Sequence, residues 1–357
     1  MIPLSTATIA EIVRDITPPS EHWRRHALSR LGTLTKPLGS LGQLEALAVQ
    51  LVAIRQSDLT LPLSKAVYVF AADHGIAAEG VSAYPSAVTR QMVLNFLAGG
   101  AAVNVLARLH RAELRVVDVG VDADFDGVAG LLHHKVARGT RNMLHEPAMS
   151  DGELSSTLSV GAQLALEAAA AGHALLAVGE MGIGNTTSAS AITCALTGVA
   201  PRLATGRGTG LAPAAHERKI AVVEAILKKH LARKAEPVEI LRCIGGLEIA
   251  AMTGMMLAAP RHRIAIVADG FISTAAAGLA VAIEPAVHGY LIAGHRSEEP
   301  GHKLLLDHLQ LKPILNLDMR LGEGSGAVLA MPILESAVAL YSEMATFASA
   351  GVSEASA

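Results

Sequence analysis

From Lys65 onward, short apolar runs alternate with longer stretches of helical spacing. Ala66–Ala72 (AVYVFAA), Leu114–Val119 (LRVVDV), Ala174–Val178, Ile264–Ala268 (IAIVA), Tyr290–Ala293 and Pro313–Leu317 have the length and texture of buried strands. Between and after them the pattern predicts helices over Ala87–Arg108, loosened at Gly99-Gly100, and over Asp151–Ala171, Asn185–Leu196, Pro213–Lys228, Ile249–Leu257 and Ala327–Phe347. A less regular stretch passes through His133-His134. Strands alternating with helices argue for right-handed βαβ crossovers and hence an α/β fold with a parallel sheet. The first 60 or so residues show no strand pattern. Ile9, Ile12, Val13 and Ile16, and then Leu44–Ile54, recur at helical spacing, with breaks at Pro18-Pro19 and Lys36–Gly42, so this segment reads as part of a helical side domain.

Composition narrows the picture. The 357 residues suffice for a large core, with one big domain and a smaller one; 51% are hydrophobic but only 3% aromatic, so the core must be built from Ala, Val, Leu and Ile. A net charge of −3 with interspersed signs leaves no footprint for nucleic acid, and the one locally basic run, Lys228–Lys234, reads as a solvated helix end. The two cysteines, Cys194 and Cys243, stand in apolar helical contexts as reduced core residues, which suits a cytoplasmic location. Glu11, Arg14 and Asp15 interrupt any secretory h-region, and uncharged apolar runs such as Phe271–Ile283 fall short of a membrane span, so no membrane partner is expected. Gly351–Ala357 reads as a frayed tail.

The candidate chemistry gathers at strand ends. Asp73, Asp122, Glu180, Asp269, His295 and Glu323 each lie near a glycine just past an apolar run, and in an open α/β sheet such loops share the carboxyl edge where ligands bind. They are therefore expected around one crevice. The stretch His173–Ser190 (HALLAVGEMGIGNTTSAS) is a glycine-rich strand-to-helix turn, which aims backbone N–H groups and a helix N-terminus at an anion: a phosphate cradle. It matches neither familiar fingerprint, because Asn185 stands where a Walker loop needs lysine and Thr187 where a dinucleotide loop needs its third glycine. Glu180 would repel phosphate, so it reads as facing a ribose hydroxyl or a second substrate. His74 beside Asp73, the pair His133-His134 and His295 lack metal-ligand spacing, and Gly324-Ser325-Gly326 is no nucleophile elbow. Glu323, between two glycines in RLGEGSG, is either a helix-start carboxylate or a general base whose apolar setting raises its pKa. Tyr84–Met92 (YPSAVTRQM) suits a flat apolar heterocycle, although Met92 reads equally well as helix core.

Together, ADHGIAAEGVSAYPSAVTRQMV, GEMGIGNTT, TGRGTGL, ADGF, GHRSEEPGH and LDMRLGEGSGA resemble the nicotinate-nucleotide:dimethylbenzimidazole phosphoribosyltransferases, in unchanged order from KPLGSLG to the last helix. The resemblance implies a Rossmann-like three-layer parallel-sheet domain over 60–326, a small helical domain from 1–59 plus 327–357, and a homodimer. It implies transfer of 5-phosphoribose from nicotinate mononucleotide to 5,6-dimethylbenzimidazole with inversion at C1′, with no metal and no cofactor. It makes Glu323 the general base. Phosphate and ribose contacts fall on Glu180, Met181, Gly182, Ile183, Gly184, Gly206, Gly208, Lys219, Asp269 and Ser297, and the benzimidazole pocket on Tyr84, Gln91, Met92 and Leu321. Two rival readings are a non-catalytic nucleotide-binding protein, which would not need Glu323, and an NAD-dependent oxidoreductase.

Overall fold

The computed structural model describes residues 8–208, 210–231 and 235–353. Six strands, β1 (Lys65–Ala72), β2 (Glu113–Gly120), β3 (Leu131–His133), β4 (Leu175–Met181), β5 (Ala265–Ala268) and β6 (Leu291–Ala293), form one sheet in the order β3-β2-β1-β4-β5-β6. Every neighbouring pair is parallel. The chain winds outward from β1 to β3, crosses back to β4 on the other side of β1, and winds outward again to β6. That reversal between β1 and β4 opens a crevice at their carboxyl ends.

Both faces of the sheet are covered. On β1, Ala66, Tyr68, Phe70 and Ala72 point into a core shared with helices Asp151–Ala170, Leu247–Ala258 and Phe271–Ile283. Val67, Val69 and Ala71 point the other way, into a core shared with Gln43–Arg55, Ala87–Ala98, Ala102–Leu109 and Ser325–Glu343. All eight β1 residues are buried, as a strand sandwiched between two helical layers requires. Helix Gln43–Arg55 packs on both Glu21–Thr33 and Ser325–Glu343, so the two chain ends meet on this second face. Cys194 and Cys243 are free and buried.

Three expectations change. Pro313–Leu317 is not a strand: it makes a single parallel bridge between Leu315 and His295 beyond the end of β6. Pro313 has no N–H to give, and a ladder needs one. The irregular stretch at His133 hides the edge strand β3, which pairs with Val116–Asp118 through three residues only. Two stretches, Ala87–Leu109 and Ser325–Glu343, are by length and composition long and apolar enough to span a membrane. The first, however, is two helices broken at Gly99-Gly100, and the second packs on β4, β5 and Gln43–Arg55 as a core helix. Of the basic run, Lys228 and Lys229 end helix Pro213–His230, while 232–234 lie outside the described residues, as do 354–357 of the tail.

Candidate active site

Strand β4 ends in Glu180 and Met181, register partners of Phe70 and Ala71 on β1, and so delivers both to the crevice. The chain then turns through Gly182-Ile183-Gly184 into helix Asn185–Thr197, with Gly184 in the left-handed region at φ +102°. A side chain on Gly182 would strike the Ala72 carbonyl at 2.6 Å, so the turn seats directly on β1. The Ile183 N–H donates to Thr89 Oγ1 at 3.2 Å.

A second turn, Gly322-Glu323-Gly324, faces the first and leads into helix Ser325–Glu343. All three residues have positive φ, at 86°, 64° and 83°. Glycine adopts this backbone freely, but for glutamate it costs about 1–2 kcal/mol, and such strain tends to collect at functional sites. Asp269, at the end of β5, braces the turn: its two carboxylate oxygens accept from Gly324 N–H at 3.1 Å and from Ala327 N–H at 2.8 Å. The turns touch, since a Cβ on Gly179 would overlap the Glu323 and Gly324 backbone and one on Gly322 would overlap Glu180 Oε1.

Between them lies a cavity of about 420 Å³, large enough for a nucleotide and an aromatic base. Glu180, Met181, Gly182, Ile183, Gly208, Asp269, Ser297, Tyr84, Leu321 and Glu323 all line it. Two of its carboxyl groups are held away from their ordinary titration. Burial, reinforced by the nearby charges of Glu248, Asp269 and Glu323, pushes Glu180 up to about 8, against the pull of its hydrogen bond from the Asn185 amide. Burial, with Asp269 beside it, pushes Glu323 up to about 7. A carboxyl poised near neutrality can take or give a proton at little cost.

At the far end, Lys219 Nζ is fully buried and donates to Thr186 Oγ1 at 2.7 Å. Burial lowers its pKa to about 8, with Glu299 opposing. Lys219 does not line the cavity itself; it stands behind Thr186 and Gly208, which do. Gly206 belongs to an adjoining cavity of about 470 Å³ with Arg202, Arg207, His216 and Arg320 in its wall; the two cavities share Gly208, Glu299 and Arg320. This end sets Arg202, Arg207, Arg320 and the buried Lys219 beside Glu298 and Glu299, so an anionic group has several cations to meet there.

Several expected site residues lie elsewhere. Gly184 makes the turn but no wall, with His74 packed against it. Gln91 is exposed on helix Ala87–Ala98 and Met92 packs into the core, so neither lines the cavity; the helix presents other positions to it only through the preceding loop at Tyr84. The crevice does not gather all the strand-end groups either. Asp73 turns inward to accept from Asp122 N–H at 2.8 Å, Asp122 is largely exposed, and His295 is buried beside Asp269 at 3.6 Å. Asp269 lines the cavity, but both its oxygens serve the Glu323 turn.

Other contributors carry weak local signals. His302 Nδ1 accepts from Ser297 N–H at 2.8 Å, while its Nε2 meets Thr274 Oγ1 at 2.9 Å. Burial pushes its pKa down to about 3, so it stays neutral and holds Ser297 at the wall. Arg320 Nη1 donates to the Gly208 carbonyl at 3.3 Å, joining the two loops of the cationic end. Among the described residues, no group of three or more His, Cys, Asp or Glu is placed to hold a metal ion.

Comparison with known proteins agrees with this geometry. A family model described as phosphoribosyltransferase matches residues 16–352. The chain is 49% identical over 346 residues to the nicotinate-nucleotide–dimethylbenzimidazole phosphoribosyltransferase of Chloroflexus aggregans, covering 97% of this chain and 98% of that protein. It is 51% identical over 322 residues to the protein of the same name from Ralstonia nicotianae, covering 90% and 91%. The crystal structure of CobT from Thermus thermophilus superposes with a TM-score of 0.89 at 45% identity, covering 94% of this chain and all of that one. A match over nearly the full length at this identity, with a solved structure of the same fold, makes this chain an enzyme of the nicotinate-nucleotide–dimethylbenzimidazole phosphoribosyltransferase family.

Proposed function

We propose that this enzyme transfers the 5-phosphoribosyl group of nicotinate mononucleotide to 5,6-dimethylbenzimidazole, with inversion at C1′, giving α-ribazole 5′-phosphate and nicotinate for the lower ligand of cobalamin. One observation carries the reading: a strained, buried Glu323, poised near pH 7, faces a glycine turn across a nucleotide-sized cavity. The phosphate belongs at the cationic end, near Thr186, Gly208, Lys219 and Arg320, and the base at the opposite side, against Tyr84 and Leu321.

The chemistry balances without an acid. One benzimidazole nitrogen attacks C1′ with its lone pair while the bond from C1′ to the pyridinium nitrogen breaks, and that electron pair leaves neutral nicotinate ring nitrogen behind. The other benzimidazole nitrogen becomes acidic as charge develops, and Glu323 takes its proton. Glu180, protonated near neutral pH, donates to a ribose hydroxyl, which removes the conflict between a carboxylate and a phosphate nearby. Holding phosphate and ribose remotely from the reacting carbon fixes C1′ against the incoming nitrogen.

The assembly belongs to the same proposal: a homodimer in the cytoplasm, with the nucleotide-binding domain over 60–326 and the helices of 1–59 and 327–357 as a smaller unit. The packing of Gln43–Arg55 against Ser325–Glu343 supports that division. Incubating the protein with nicotinate mononucleotide and dimethylbenzimidazole, without added metal, tests the reaction by chromatography and mass. Formation of α-ribazole phosphate is expected; nucleotide binding with no product favours the non-catalytic alternative.

A further inference from the structure

Directly beneath the glycine turn is a buried histidine–carboxyl pair that touches neither cavity. His74 Nε2 lies 2.6 Å from Glu248 Oε1, and both side chains are fully buried. His74 Nδ1 faces Ser188 Oγ at 3.3 Å, and Ser188 also donates to the Gly245 carbonyl at 3.1 Å. Glu248 Oε2 has no hydrogen-bond partner although it is buried. A carboxyl group buried in the mostly apolar helix Leu247–Ala258 is costly without a hydrogen-bond partner, and His74 supplies one to Oε1.

The surrounding backbone is built around this pair. A Cβ on Gly182 would come within 3.3 Å of both Glu248 Oε1 and His74 Cδ2, and one on Gly184 within 3.2 Å of His74 Cβ. A Cβ on Gly246 would sit 2.8 Å from both Glu248 Oε2 and His74 Nε2. Two of these three glycines belong to the turn that carries Glu180 and Ile183 into the cavity.

We propose that His74, Glu248 and Ser188 form a positioning unit for this turn, bracing Gly182 and Gly184 from within the fold. The proposal rests on the reading of Glu180 as a substrate-facing group. Glu180 itself is held by the Asn185 amide and enters the cavity two residues before Gly182, so a shift of the braced glycines displaces it.

Ser188→Ala leaves the His74–Glu248 contact in place and loosens the brace; KM for nicotinate mononucleotide should rise about fivefold with kcat nearly unchanged. Glu248→Gln keeps an amide oxygen that can accept from His74, so its KM should stay within about twofold of the unaltered protein, whereas Glu248→Ala should raise it at least as far as Ser188→Ala. An unchanged KM in folded Ser188→Ala, or no rescue by glutamine over alanine at 248, overturns the proposal, and Ser188→Ala decides it even where Glu248→Ala unfolds. If the unaltered protein forms no product, the proposed reaction falls by itself. Calorimetric binding of nicotinate mononucleotide needs no turnover and still decides on the unit.

Discussion

Glu180 and Glu323 stand in two glycine turns that touch, and both titrate near neutrality, yet the fold holds them by opposite means. Glu180 is the penultimate residue of a regular strand, and its side chain is fixed by the Asn185 amide. Glu323 has a backbone forced into the left-handed region and a turn pinned from behind by Asp269. The first arrangement suits a group that keeps one hydrogen-bond geometry throughout a reaction. The second suits a group whose proton must come and go, because the rigid, braced backbone keeps its aim. Two similar-looking carboxylates in glycine loops thus divide into a holder and a base.

Removing the base should have the largest effect. Glu323→Gln is isosteric and keeps the turn, so kcat should fall by about 10²–10⁴, the usual worth of a general base, with calorimetric affinity for nicotinate mononucleotide nearly unchanged. Equal turnover in this variant would falsify the division. Glu323→Gly sharpens it through stability. Above pH 7 the native carboxylate carries both backbone strain and a raised pKa, and the raised pKa means that the folded state binds the extra proton between 4.5 and about 7. Its contribution to stability therefore declines as pH rises through that window. Glycine removes both costs, so at pH 8 the inactive Glu323→Gly protein should melt no lower than the unaltered one, and up to about 1 kcal/mol more stable.

Contact between the turns can be broken directly. Gly179→Ala inserts a methyl group against the Glu323–Gly324 backbone, which cannot swing aside as a side chain would. Overpacking of this kind costs about 1–3 kcal/mol, and thermal melting should register it. Activity should fall by more than tenfold even in the folded fraction, because displacement of about 1 Å at a reacting group is enough.

How far these roles could be read in the sequence follows from where their causes lie. Glu180 and Glu323 were legible because flanking glycines mark a backbone that must turn or approach closely. Asp269 was legible as a strand-end carboxylate, but its partners, Gly324 and Ala327, are more than fifty residues away, so its work as a brace was not. Glu248 had a local signal, a lone charge in LEIAAMTGMMLA, but its meaning depends on His74 across the fold. Strand β3 escaped because three edge residues give too little alternation, and Pro313–Leu317 misled because an apolar run resembles a strand whether or not a neighbour is there to pair with it.

The pH profile separates holder from base. kcat/KM should rise through about 7 as Glu323 loses its proton and fall through about 8 as Glu180 loses its own, giving a narrow bell. The two groups interact, so the limbs report values of the pair. Glu180→Gln should remove the alkaline limb and leave the acid one, whereas two surviving limbs would assign the upper one elsewhere.

The smallest effect expected concerns the base pocket, where the second turn also contributes a wall. Leu321 immediately precedes Gly322 and lines the cavity while remaining half exposed, so it can shed only part of its surface onto a bound benzimidazole. Leu321→Ala should therefore raise KM for dimethylbenzimidazole about three- to tenfold, the equivalent of about 1 kcal/mol of lost burial, and leave KM for nicotinate mononucleotide alone. Gln91→Ala, on the exposed side of its helix and away from the cavity, should change neither by more than about twofold. If the two variants exchanged effects, helix Ala87–Ala98 would have to move onto the base when substrate binds. The second turn would then hold only the catalytic carboxylate, with the heterocycle gripped from the other side of the crevice.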